Sequence, residues 1–246
     1  MDRRTRSQIV AFGGGGFSME PGNPLLDDYV LSLAGSARPK VCFLPTASGD
    51  ADHYVVRFYR TFCASHCEAS HVSLFRRDTG VLDVEEHLLT RDVIYVGGGS
   101  VLSLLGAWRA HGLEQVLRGA WERGVILCGG SAGSLCWFSS GVTAFHGEPQ
   151  PYEGLGLLPW SNCVHYDAEP ERDSAYRRLL LDGTVSTGYA AEDCTALHFT
   201  GARLSRVVSS RAGARAYRMR AVGGRIERRP LAADYLGAAA PVAAVA

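Results

Sequence analysis

Short apolar runs that end directly in glycine clusters constrain this chain most. Residues 8–12 (QIVAF) run into Gly13, Gly14, Gly15 and Gly16. Residues 92–96 (DVIYV) run into Gly97, Gly98 and Gly99, and residues 125–128 (VILC) into Gly129 and Gly130. A strand that stops at glycine can turn sharply, or let a ligand approach its backbone closely. Between these runs lie helix-length stretches at 24–33, 53–64, 101–109 and 113–123, and further strand-like runs at 40–44 and 69–75. Strands alternating with helices predict a parallel sheet covered on both faces. Sites in such sheets form at the carboxyl ends of the strands, near a topological switch point. The expected fold is therefore α/β, a doubly wound, mostly parallel sheet with helices on both faces. From about residue 194 the texture changes to short strands at 195–199, 204–209, 216–220 and 225–228, separated by Gly-containing turns. These read as a β-rich C-terminal extension of a single domain over 1–235. Residues 236–246 (LGAAAPVAAVA) read as a disordered tail.

Charge and cysteine usage narrow the function. Lys plus Arg is 25 and Asp plus Glu is 25, so the basic excess of a nucleic-acid or anionic-membrane binder is missing. The apolar run before Gly13 is too short for a signal-peptide core, and no stretch reaches the roughly 18 apolar residues of a membrane span. The seven cysteines are odd in number and scattered, unlike a secreted disulfide framework. The expectation is a cytoplasmic protein, monomer or homodimer, with no nucleic-acid or membrane partner.

Gly129-Gly130-Ser131-Ala132-Gly133 fits G-x-S-x-G, the nucleophile-elbow pattern. A strand-like run leads in and a helix-compatible run, 134–138, leads out. A serine on that turn projects its hydroxyl above the sheet edge, and the helix start leaves N–H groups free for an oxyanion. A Gly-rich turn whose serine merely caps a helix would read the same way locally. A serine nucleophile needs a base, and the base an orienting acid. Of the eight histidines, His165 ends an apolar run and precedes a polar turn, which places it at another strand end. For the acid, Glu192, Asp167 and Asp193 all qualify, and spacing alone does not choose among them.

Four segments, taken together and in order, resemble the peptidase E family within the class I glutamine amidotransferase-like fold. They are Val96-Gly97-Gly98-Gly99-Ser100, Gly130-Ser131-Ala132-Gly133-Ser134, Val164-His165-Tyr166 and Ala191-Glu192-Asp193-Cys194-Thr195-Ala196. Cyanophycinases are close relatives, and the resemblance spans roughly residues 9–210. It implies Ser131 as nucleophile, His165 as base, and an oxyanion hole from the N–H groups of Gly99 and Ala132. Ser100 stands where the family has Asn. His146 stands where some members carry the acid, so the resemblance implies the Glu192 version of the triad, as in cyanophycinase-like members. The chain order Ser…His…acid differs from the Ser…acid…His of α/β-hydrolases. Gly98 and Ser100 are implied at the substrate, with Arg172 or Arg177 as the arginine that aspartyl dipeptidases use to bind an N-terminal Asp. The implied activity is hydrolysis of small peptides through an acyl-enzyme, without metal or organic cofactor. The alternatives are hydrolysis of β-linked aspartyl peptides, an amidotransferase-like reaction, or a non-catalytic ligand-binding protein on the same fold.

Two rival site readings fail on spacing. Cys63, His66, Cys67 and His71 invite zinc, but His71 lies beyond the helix end, in the next strand. The Gly13–Gly16 cluster lacks the G-x-G-x-x-G pattern of a dinucleotide loop, because Ser18 occupies its last position.

Overall fold

The computed structural model describes residues 7–64, 67–76 and 83–237. The strands are β1 (Gln8–Gly14), β2 (Lys40–Leu44), β3 (Glu68–His71), β4 (Val93–Val96), β5 (Ile126–Gly130), β6 (Phe138–Thr143), β7 (Gln150–Glu153), β8 (Leu158–Cys163), β9 (Gly188–Ala191), β10 (Thr195–Thr200), β11 (Arg203–Ser209), β12 (Ala216–Val222), β13 (Arg225–Leu231) and β14 (Asp234–Tyr235). The helices are α1 (Leu25–Leu33), α2 (Asp52–Phe62), α3 (Val84–Leu89), α4 (Val101–Ala110), α5 (Leu113–Glu122), α6 (Ala132–Leu135) and α7 (Pro170–Leu181). Single 3-10 turns at Gly16–Ser18 and Thr46–Ser48 follow β1 and β2.

The α/β expectation holds. The main sheet has eight strands in the order β14-β11-β10-β1-β5-β4-β2-β3. β1, β5, β4, β2 and β3 pair in parallel, and β10 runs antiparallel to β1. The apolar runs 41–44 and 125–128 are buried on both faces, as a central parallel strand requires. The carboxyl ends of β1, β4 and β5 lie side by side, so the three glycine clusters meet at one edge of the sheet.

The second half of the chain folds differently from the expectation. A further sheet, β13-β12-β9-β8-β6-β7, has six strands. Its members β6 and β7 lie where no strand was expected. The helix after Ser131 is a single turn, α6, and the chain is back in a strand at Phe138. The bulky residues Trp137 and Phe138 are drawn into the core instead of continuing a helix: both are fully buried, Trp137 beside Trp108 and Phe138 edge-on to Phe199. The expected C-terminal extension is divided, because β10, β11 and β14 widen the main sheet while β12 and β13 join the second. One apolar cluster runs through both sheets, from Ile9 and Leu127 to Leu158, Tyr189 and Ala216. The expectation of a disordered tail falls, for 238–246, outside the described residues.

Below the first glycine cluster sits a buried carboxylate. Asp27 of α1 is 2% exposed and accepts a hydrogen bond from the Tyr95 hydroxyl at 3.1 Å, while its Oδ2 has no partner. Burial pushes its carboxyl up from 3.8 to about 7, against the lowering by Tyr95 and the Phe17 backbone. A carboxyl raised on folding holds its proton more tightly in the native state. Its contribution is therefore complete below pH 4 and is lost as pH rises through 7. Asp27→Asn removes that dependence. Relative to the unaltered protein, the variant gains up to about 4 kcal/mol between pH 4 and pH 8, at 1.36 kcal/mol per unit. Urea melts across that range measure it, and parallel stability profiles would contradict it.

Candidate active site

Ser131 sits between β5 and α6 with φ 55 and ψ −118, a backbone conformation that few L-residues adopt. Such strain typically costs about 1–3 kcal/mol and persists only where surroundings enforce it. The flanking glycines explain how. A Cβ on Gly129 would lie 2.3 Å from the Val96 carbonyl oxygen, and one on Gly133 only 2.1 Å from it. The elbow is thus pressed against the last carbonyl of β4, and only glycines fit on either side. The Ser131 carbonyl starts α6 by accepting from Ser134 and Leu135.

The second glycine cluster supplies the opposing wall. Gly99 has φ 138, and a Cβ there would meet the Ala47 oxygen at 2.2 Å. The Gly98 N–H is taken by the Tyr54 hydroxyl at 3.0 Å. Among the described residues the N–H groups of Gly99 and Ala132 have no acceptor, as an oxyanion hole requires. Ser100 braces this loop. Its N–H donates to Ala47, its Oγ accepts from Ser103 to cap α4, and the same Oγ pairs with His146 Nε2 at 2.7 Å. The two positions that depart from the resembled family, Ser100 and His146, are therefore in contact with each other.

His165 follows β8 with φ 54. Its N–H donates to Gly13, its carbonyl accepts from Ala168 and Glu169, and the next N–H donates to Ala191. Its Nδ1 lies 2.6 Å from Asp193 Oδ1. A carboxylate only accepts, so Nδ1 carries the proton and Nε2 is left as a base. Gly14 makes room for this pair: a Cβ there would lie 2.1 Å from Asp193 Oδ1 and 2.8 Å from the imidazole.

The expectation that Glu192 orients His165 is corrected. Glu192 Oε2 accepts from the Arg215 N–H and Oε1 from the Tyr217 hydroxyl, each at 2.8 Å, so Glu192 ties β9 to β12. Successive side chains of an extended segment point to opposite sides, and the chain turns at Cys194 with φ 65. Asp193 therefore faces the imidazole and Glu192 faces away. Asp167 does not touch the imidazole. It accepts from the Asp193 N–H at 2.8 Å and pairs with Arg211 at 2.7 Å. Burial raises the Asp167 carboxyl, but that N–H and the Arg211 guanidinium outweigh it and hold it below its ordinary range.

Ser131, His165 and Gly99 line a cavity of about 260 Å³ with Glu169 and Arg172. Arg172 is not the exposed helix arginine its position on α7 suggests: it is 6% exposed. Its Nη2 meets Glu169 Oε2 at 2.6 Å, its Nη1 donates to Val164, and its Nε has no partner. Arg177 is spent on Asp173 and Tyr166. Of the zinc candidates, His66 lies outside the described residues; among the described residues no group of three ligating side chains occurs. Tyr54, Gly14 and Asp193 are the site residues that sequence reasoning passed over or ranked low.

The family model for peptidase family S51 matches residues 9–207. A relative from Bacillus subtilis (strain 168), described as the uncharacterized peptidase YgaJ, is 46% identical over 94% of this chain and 99% of its own length. The peptidase E of Streptomyces coelicolor is 28% identical over 65% of each chain. Among solved structures, a peptidase from an acI-B1 Actinobacterium matches with TM-score 0.71 at 20% identity, covering 94% of this chain and 96% of that one. A putative peptidase E from Listeria monocytogenes EGD-e matches with TM-score 0.58 at 17% identity, covering 85% and 100%.

Proposed function

The chain belongs to peptidase family S51 and is a serine-type peptidase; from that premise we propose that it hydrolyses small peptides with an acidic N-terminal residue, through Ser131, His165 and Asp193. The observation that carries the reading is the meeting of a strained Ser131 with a carboxylate-held His165 on the wall of one cavity. His165 Nε2 takes the Ser131 proton as the oxygen attacks the peptide carbonyl. The Gly99 and Ala132 N–H groups receive the oxyanion, and His165 then protonates the leaving amine. Water, activated by the same imidazole, releases the acyl group. Asp193 stabilises the imidazolium that forms in each half.

Arg172 and Glu169 support the substrate class. A buried guanidinium with a free Nε suits a carboxylate side chain, and the neighbouring carboxylate suits the α-ammonium group of an N-terminal residue. No described helix is long and apolar enough to cross a membrane. All seven cysteines are free thiols, which supports placing the enzyme in the reducing cytoplasm.

A dipeptide-library hydrolysis screen tests the proposal. Peptides with an acidic first residue are expected to lead. Arg172→Gln is expected to lower their kcat/KM by about 10–100-fold, the worth of a hydrogen bond to a charged group. Its effect on peptides beginning with Ala should be much smaller. Hydrolysis indifferent to the first residue, or an equal loss for both peptide sets, would contradict it.

A further inference from the structure

A second cavity, of about 330 Å³, opens on the other side of Ser131 and His165. Its wall includes His53, Tyr54 and Arg57 of α2, with Ser18, Gly98 and Gly130. We propose that this cavity receives the leaving half of the substrate, and that Arg57 binds the free α-carboxylate of a dipeptide there. The inference rests on the assignment of the Arg172 cavity to the acyl half.

The two cavities share the nucleophile and the base but differ in charge. The Arg172 cavity holds a guanidinium already matched by Glu169. The second has Arg57 and no Asp or Glu on its wall. His53 and Arg57 stand one helical turn apart, so both project from the same face of α2. Among the described residues Arg57 has no carboxylate partner; its Nη1 donates to the Ser18 carbonyl at 2.7 Å. That bond steadies the guanidinium at the cavity and leaves its other N–H groups available for an anion. The carboxylate of α2 itself, Asp52, is engaged by Arg76 at 2.6 Å.

The chemistry of the substrate says which anion belongs there. In a dipeptide the residue that carries the scissile nitrogen also carries the terminal carboxylate, one carbon away from that nitrogen. In a longer peptide the same position is a neutral amide. A cation facing the leaving half therefore reads chain length, and it favours dipeptides over tripeptides and over C-terminal amides. Tyr54 links this wall to the reaction centre, since its hydroxyl holds the Gly98 N–H beside the oxyanion loop.

The test measures binding in a Ser131→Ala background, where no turnover interferes. Calorimetry compares an acidic-first dipeptide with its C-terminal amide. The free acid is expected to bind at least about tenfold more tightly, a charge-assisted bond's worth. Adding Arg57→Gln should collapse the difference between acid and amide; Arg57 is exposed, so the core is untouched. Equal binding of acid and amide, an undiminished difference in the Arg57→Gln protein, or no dipeptide binding would each overturn the inference. So would a loss that tracks the first residue's side chain, because Arg57 would then face the acyl half. Failure of the protein with Ser131 intact to cleave such dipeptides, with the acid–amide difference present and dependent on Arg57, would instead strike the proposed substrate class and leave this subsite standing.

Discussion

Ser131→Ala lowers kcat on a cleaved dipeptide by about a million-fold, the loss seen when a triad nucleophile is removed, and leaves the circular dichroism spectrum and melting temperature unchanged. The size follows from chemistry: without the hydroxyl there is no acyl-enzyme, and only the oxyanion donors and binding remain. The intact fold follows from the elbow. Alanine keeps the Cβ that Ser131 already places at φ 55, and the close contacts at Gly129 and Gly133 are untouched. Among the described residues no fold contact depends on the Ser131 hydroxyl. Near-normal turnover by this variant would remove Ser131 from the mechanism.

Asp193→Asn has the next largest effect. It lowers kcat by about four orders of magnitude, because an amide at Nδ1 stabilises the wrong tautomer and leaves no base facing Ser131. Glu192→Gln changes kcat by only a few-fold. Its penalty appears in stability, about 1 kcal/mol for a weakened hydrogen bond to Arg215 or Tyr217. Asp167→Asn falls between the two, since Asp167 holds Asp193 by its N–H and never meets the imidazole. Steady-state kinetics and thermal melts on the three variants separate catalytic loss from structural loss. A crippled Glu192→Gln beside an active Asp193→Asn would reverse the assignment of the acid.

The parts of the fold and site that were legible in the sequence are those fixed by local chemistry. Glycine clusters after apolar runs marked β1, β4 and β5, because a Cβ at Gly13, Gly99 or Gly129 would lie only 2.2–2.3 Å from a neighbouring carbonyl oxygen. Ser131 and Gly99 came with those strand ends, and His165 with the end of β8. The second sheet was hidden because residues 138–153 mix Ser, Gly, Pro and His with few branched residues. β6 and β7 form there as an antiparallel hairpin that β6 anchors by pairing in parallel with β8. The acid was misplaced by one residue, since the segment 191–196 is right as a segment but its side chains alternate between two faces. The tight turn at Cys194 decides which face His165 sees, and a positive φ at a non-glycine residue leaves no mark in sequence. The choice between Arg172 and Arg177 was open in sequence because both lie on the polar helix α7. The burial of Arg172 comes from the Val164 carbonyl and Glu169 closing over it.

The proposed mechanism makes Ser131 a nucleophile activated by a His165 that Asp193 holds in place. Labelling with a fluorophosphonate, followed by mass spectrometry of the modified peptide, reads this without any assumption about substrate. One adduct is expected, on Ser131. It should form at an unchanged rate in Glu192→Gln and at least about a hundredfold more slowly in His165→Ala and Asp193→Asn, the usual worth of a positioned general base. No adduct on Ser131, or labelling of His165→Ala as fast as the unaltered protein, would contradict that mechanism.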